Sequence, residues 1–124
     1  MKLAITSVML PRWDLAQTFD KLAAYGYEGV ELRVRDNPEA TDVEPSFWGR
    51  HRADVSPANI LARADEIRAT VERTGLAVIA FAPRASIGED SLIDHLFEAA
   101  RTINADNPPM IRIGAPRHGR TQPY

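Results

Sequence analysis

The stretch Gly26-Tyr27-Glu28-Gly29-Val30-Glu31-Leu32-Arg33-Val34-Arg35 decides the fold. Gly26 stops a helical pattern and a tight turn follows. Val30, Leu32 and Val34 then alternate with Glu31, Arg33 and Arg35. A period of two is the signature of a strand with one apolar and one charged face. A lone surface hairpin has the same alternation. Helical patterns on both sides of the stretch favour a parallel α/β unit.

Upstream, residues 2–9 form a short apolar run closed by Pro11, read as a first strand. Asp14 with Gln17 three residues on is a version of the capping box. Leu15, Phe19, Leu22 and Ala23 follow at helical spacing, so a helix is expected over residues 15–25 and the second strand over 29–35. Downstream, residues 36–55 break the rhythm. They hold Pro38, Pro45, several acids and the group Phe47-Trp48-Gly49-Arg50-His51-Arg52. A loop this long inside a compact domain is usually functional or disordered, and its aromatic residues argue against disorder.

Ser56-Pro57 reads as a helix start, with Ser at the cap and Pro at the first helical position. Ile60, Leu61, Ala64, Ile67 and Val71 make the buried stripe, and Gly75 stops the helix. Residues 76–82, Leu76 to Ala82, are almost continuously apolar, as in a strand buried on both faces. Asp90 or Ser91 opens a third helix with Leu92, Ile93, Leu96, Phe97, Ala100 and Ile103 inward. After Asn107-Pro108-Pro109, residues 110–114 form a fourth strand in which Ile111 and Ile113 flank Arg112. Residues 115–124 are polar and aperiodic.

The order is β-α-β-α-β-α-β, a single α/β domain over residues 1–124. Parallel strands with right-handed crossovers follow. Two architectures fit: a small open parallel sheet, or the first half of a (β/α)8 TIM barrel. Central strands of an open sheet lie between helix layers and are apolar on both sides. Glu31, Arg33 and Arg112 stand opposite apolar residues in two different strands, which favours the half-barrel. A full barrel takes about 250 residues, against 124 here. Four barrel strands also leave open edges. The expectation is therefore a partial version of a longer protein, or two copies that close a barrel together.

Composition limits the partners. The chain is 44% hydrophobic and 26% charged, with a net charge of -2, which gives no drive toward nucleic acid or an anionic membrane. It has no cysteine, so disulfides and thiolate metal sites are excluded. No stretch has the apolar length of a membrane span, and residues 1–6 lack the features of a signal peptide, so a cytoplasmic location is expected by elimination. Dinucleotide, P-loop, serine-hydrolase and zincin motifs are all absent from the sequence.

The block YGYEGVELR at residues 25–33 resembles the second strand of the sugar phosphate isomerase/epimerase family, the xylose isomerase-like TIM barrels. TGLAVIAFAP at 74–83 is similar to the family's third strand, and PPMIRIGAP at 108–116 to its fourth. The resemblance covers about residues 1–117 and the first half of the family's fold. It implies isomerisation or epimerisation of sugars or related polyols by proton transfer at a carbon next to a carbonyl, beside a divalent metal (Mn, Mg, Co or Zn). The family takes its metal ligands from later strands, so no catalytic or metal residue is carried over. Glu31 matches the Glu of the second-strand motif, at the active-site end of the barrel.

Six residues are candidates for substrate binding. Glu31 is an inward carboxylate that either orients substrate or pairs with Arg33 or Arg112; a buried carboxylate needs such a partner. Arg33 and Arg112 are interior ion-pair partners or hold a phosphate or carboxylate. His51 either lines a substrate mouth or is a solvated surface histidine. Trp13 stacks on a sugar ring or packs on its helix. His118 follows the fourth strand at the catalytic-end position. The functions in play are thus part of a metal-dependent sugar isomerase or epimerase, a non-catalytic fragment, or a half-barrel homodimer acting as a binding module. The expected partner is a small sugar or polyol, with a homo-oligomer admitted.

Overall fold

Asp14 opens the first helix through the exchange its spacing predicts. Its carboxylate accepts from the Gln17 amide at 2.8 Å, and the Gln17 side chain accepts from the Asp14 amide at 3.2 Å. In the computed structural model, which describes residues 1–37, 42–85 and 88–114, helix α1 runs over Leu15–Ala24. Gly26 ends it with a φ of 81°. The Gly26 amide donates to the Ala23 carbonyl and the Tyr27 amide to that of Leu22. Those two bonds satisfy carbonyls that the last helical turn leaves unpaired.

The remaining elements are β1 (Ala4–Thr6), a 3-10 turn (Ser7–Met9), β2 (Gly29–Val34), α2 (Ala64–Thr74), β3 (Ala77–Pro83), α3 (Asp90–Ile103) and β4 (Met110–Ile111). The strands form one parallel sheet in the order β1-β2-β3-β4. The chain is therefore of the α/β class. A doubly wound sheet reverses its strand order at a switch point; this order runs one way. Right-handed crossovers between successive neighbours put all three helices on one face, and α2 packs against both α1 and α3.

That face holds the core. Val30, Leu32 and Val34 of β2 join Val78 and Phe81 of β3 in one cluster with Phe19, Leu22, Ile67 and Leu96 of the helices. The opposite face is set by the register: Thr6 pairs with Glu31, Glu31 with Ala80 and Ala80 with Met110. A register shift between Val30 and Glu31 makes Ile79 an extra residue, a bulge of the kind that re-aims a side chain. A Cβ on Gly29 would come 2.8 Å from Ile79 Cγ2 and 3.3 Å from Ala4 Cβ, so Ile79 occupies the space a side chain there would need.

Four expectations are corrected. The first strand has three residues rather than residues 2–9, because hydroxyls take amides that a longer ladder would use. Ser7 Oγ accepts from the Arg33 amide at 2.8 Å, and Thr6 Oγ1 from the Val8 amide at 3.4 Å. Ser56-Pro57 opens a run of turns, and α2 begins only at Ala64. Asn59 explains this: its side chain takes the Ser56 amide at 2.8 Å and donates to the Asp54 carbonyl at 2.9 Å, which holds a turn in place of a helix. Strand β3 is not buried on both faces, since Ala77 is exposed and Ile79 is 40% exposed on the side away from the helices. Strand β4 is two residues long rather than five; beyond it, the Arg112 amide still donates to the Phe81 carbonyl at 3.0 Å. Among the described residues, no helix is long and apolar enough to cross a membrane. The expected tail at 115–124 lies outside the described residues.

Candidate functional site

The carboxyl ends of β2 and β3 feed the two loops that form the site. Arg33, near the end of β2, is 7% exposed. Its guanidinium donates to Asn37 Oδ1 at 3.3 Å and to the Gly49 carbonyl at 2.9 Å, tying the strand to the loop that follows. Asn37 is the hub of that loop. It accepts from the His51 amide at 3.0 Å, and donates to the His51 carbonyl at 3.0 Å and to Asp54 Oδ1 at 2.9 Å. Asp54 has a φ of 43°, a left-handed conformation that Asp tolerates better than most residues. Its carbonyl accepts from Arg63 at 2.8 Å, the residue that caps α2 and pairs with Glu66. The loop is thus pinned at both ends.

Between this loop and the start of α3 lies a cleft of about 1020 Å³. One wall is basic, formed by Arg33, Arg35 and Arg84. Asp36 and, at the head of α3, Glu89 and Asp90 add carboxylates to the lining. Trp48 stands at the cleft 79% exposed, its ring held edge-on by Phe47 at 4.4 Å between centroids. Val34 and Pro83 are partners in the sheet, so Arg35 and Arg84 leave adjacent strands at the same level. The Arg35 amide donates to the Val55 carbonyl at 2.9 Å. Its side-chain Nε is buried with no hydrogen-bond partner among the described residues.

The residues singled out from the sequence are scattered. Arg33 lines the cleft. Glu31 and Arg112 meet on the sheet face opposite the helices, 3.6 Å apart, with the Arg112 side chain 60% exposed. Reaching across β3 is possible because small Ala80 lies between β2 and β4 in the register. Trp13 packs on the core, with the Lys21 ammonium 4.7 Å above its ring. His51 is not a solvated surface histidine: it is 3% exposed, with Nε2 3.2 Å from the Phe47 carbonyl. Burial lowers its pKa; the Phe47 carbonyl opposes this, and the charges of Arg33 and Arg35 add to it. His118 lies outside the described residues. Arg35 and Arg84, the residues that build the basic wall, were not on the list read from the sequence. Their signal was the i, i+2 spacing of Arg33 and Arg35 on one strand, with a second arginine directly after the next strand.

Among the described residues no three His, Asp or Glu side chains gather as metal ligands. Glu31 faces Arg112. Comparison with protein-family models, with curated proteins and with solved structures gives no match.

Proposed function

We propose that this chain supplies the first three βα units and the fourth strand of a xylose isomerase-like barrel, a sugar or sugar phosphate isomerase or epimerase, and that its share of the work is substrate binding. The observation that carries this reading is the one-way parallel order β1-β2-β3-β4, with helices on one face and Glu31 and Arg112 on the other. In parallel α/β folds ligands bind at the carboxyl ends of the strands. Glu31 and Arg112 lie toward that end and offer a carboxylate and a guanidinium as partners for hydroxyl and carbonyl oxygens. No proton-transfer or metal step is assigned to residues of this chain.

The test is a titration of the isotope-labelled 124-residue protein with an aldose, its ketose isomer and their phosphates, followed by amide NMR. Shifts at Thr6, Glu31, Ala82 and Arg112, without interconversion of the two sugars, are the expected result. Shifts confined to other regions would overturn the reading, as would turnover by this chain alone. A second reading, closure of two such sheets into one homodimeric barrel, is favoured by Ile79 and Met110, which stand 40% and 70% exposed beside Gly29 and Ala80. Sedimentation equilibrium separates the two: a discrete dimer supports pairing, and a monomer removes it.

A further inference from the structure

We propose that the cleft between the β2–α2 loop and the head of α3 is a binding site for a small polyhydroxylated monocarboxylate, a sugar acid of the aldonic or uronic type. Arg35 and Arg84 grip its carboxylate. The proposal rests on the preceding reading only for the sugar character of the ligand; the cleft lies outside the Glu31–Arg112 face.

Three features converge on this class. The first is the pair of guanidinium groups. Arg35 and Arg84 follow residues paired in the sheet and line one cleft. A guanidinium group takes a planar carboxylate by bidentate hydrogen bonds, and two that line one cleft can share it. The Nε of Arg35 is buried without a partner among the described residues.

The second feature is the acidic lining. Asp36, Glu89 and Asp90 are hydrogen-bond acceptors suited to hydroxyl groups. They also set the ligand's charge. Among the described residues three arginines and three carboxylates line the cleft, together with His95. A dianion such as a phosphate monoester would sit against three carboxylates and meet more repulsion than a monoanion. The third feature is Trp48, whose exposed ring offers an apolar platform to the C–H face of a polyol. A volume of about 1020 Å³ is ample for a six-carbon acid.

The experiment follows tryptophan fluorescence of the 124-residue protein during titration with D-gluconate, D-glucose and inorganic phosphate, with Trp48→Phe to assign the signal. Gluconate is expected to saturate with a Kd of about 1 mM. Glucose, which lacks the carboxylate, binds at least about tenfold more weakly. Arg84→Gln loses a similar factor while its thermal melt stays unchanged, because Arg84 is exposed. Arg35→Gln is the second variant, expected to weaken gluconate with glucose unaffected. The proposal is overturned by phosphate binding as tightly as gluconate, by equal affinity for glucose, or by an unaltered Arg84→Gln. Amide shifts on the Glu31–Arg112 face with an aldose, together with silence toward gluconate, would remove this site and leave the barrel reading standing.

Discussion

Replacing Asn37 with alanine removes the knot of the β2–α2 loop. The side chain takes part in four hydrogen bonds: two accepted, from Arg33 and the His51 amide, and two donated, to the His51 carbonyl and Asp54. A net 0.5–1.5 kcal/mol for each such bond is typical, but Asn37 is only partly buried and water replaces part of the loss. The expected cost is about 2–3 kcal/mol, a sizeable share of the roughly 5–15 kcal/mol that holds a domain together. Urea unfolding gives the free energy, and amide hydrogen exchange gives the location. The His51 amide, bonded to Asn37 Oδ1, and the Arg35 amide, bonded to the Val55 carbonyl, should both lose protection. Asn37→Asp sharpens the result: it keeps the acceptor for Arg33 and the His51 amide, but turns the contact with Asp54 into repulsion. A cost below about 0.5 kcal/mol for Asn37→Ala, with the His51 amide still protected, would refute the hub reasoning.

His51 makes stability pH-dependent with a definite sign. Its folded pKa lies below the ordinary 6.5, so the unfolded chain binds the proton more readily. This contribution is complete above about pH 6.5 and is lost as pH falls through the folded value. The difference in urea midpoint between wild type and His51→Phe should therefore shrink from about pH 7.5 to about pH 5; a constant difference counts against it. Phe81 is fully buried in β3, and Phe81→Ala should cost about 3–5 kcal/mol by urea or thermal unfolding, with a cost under about 1 kcal/mol contradicting its place in the core. Gly29→Ala drives a methyl toward Ile79 Cγ2 and should cost about 1–3 kcal/mol. Most of that should return in Gly29→Ala/Ile79→Ala, and a double variant that loses as much as the two single ones would rule out the close approach.

What the sequence disclosed and what it hid have separate causes. The alternation in Gly29–Val34 and the caps at Asp14, Gly26 and Gly75 are local, and each appears in the structure where its spacing puts it. The late start of α2 was hidden, because Ser56-Pro57 is a sound helix opening until Asn59 reaches back to Asp54. Helical period alone could not weigh that tertiary bond. The burial of His51 was likewise invisible: its amide is held by Asn37, fourteen positions away. The basic wall needs the register that sets Val34 beside Pro83, and no one-dimensional pattern carries a register between strands. The shortness of β1 turned on one hydroxyl, Ser7 Oγ, meeting an amide from another strand.

The one-way strand order has a consequence for how such a molecule is assembled and how it changes over generations. Each strand pairs with its successor in the chain, so sheet contacts stay among sequence neighbours and no distant segment must thread between them. Growth by accretion is then topologically cheap: a further unit docks on a free strand edge and disturbs no bond already made. Addition of whole units at an edge is the edit such an order favours, and it leaves the ladder between β2 and β3 untouched.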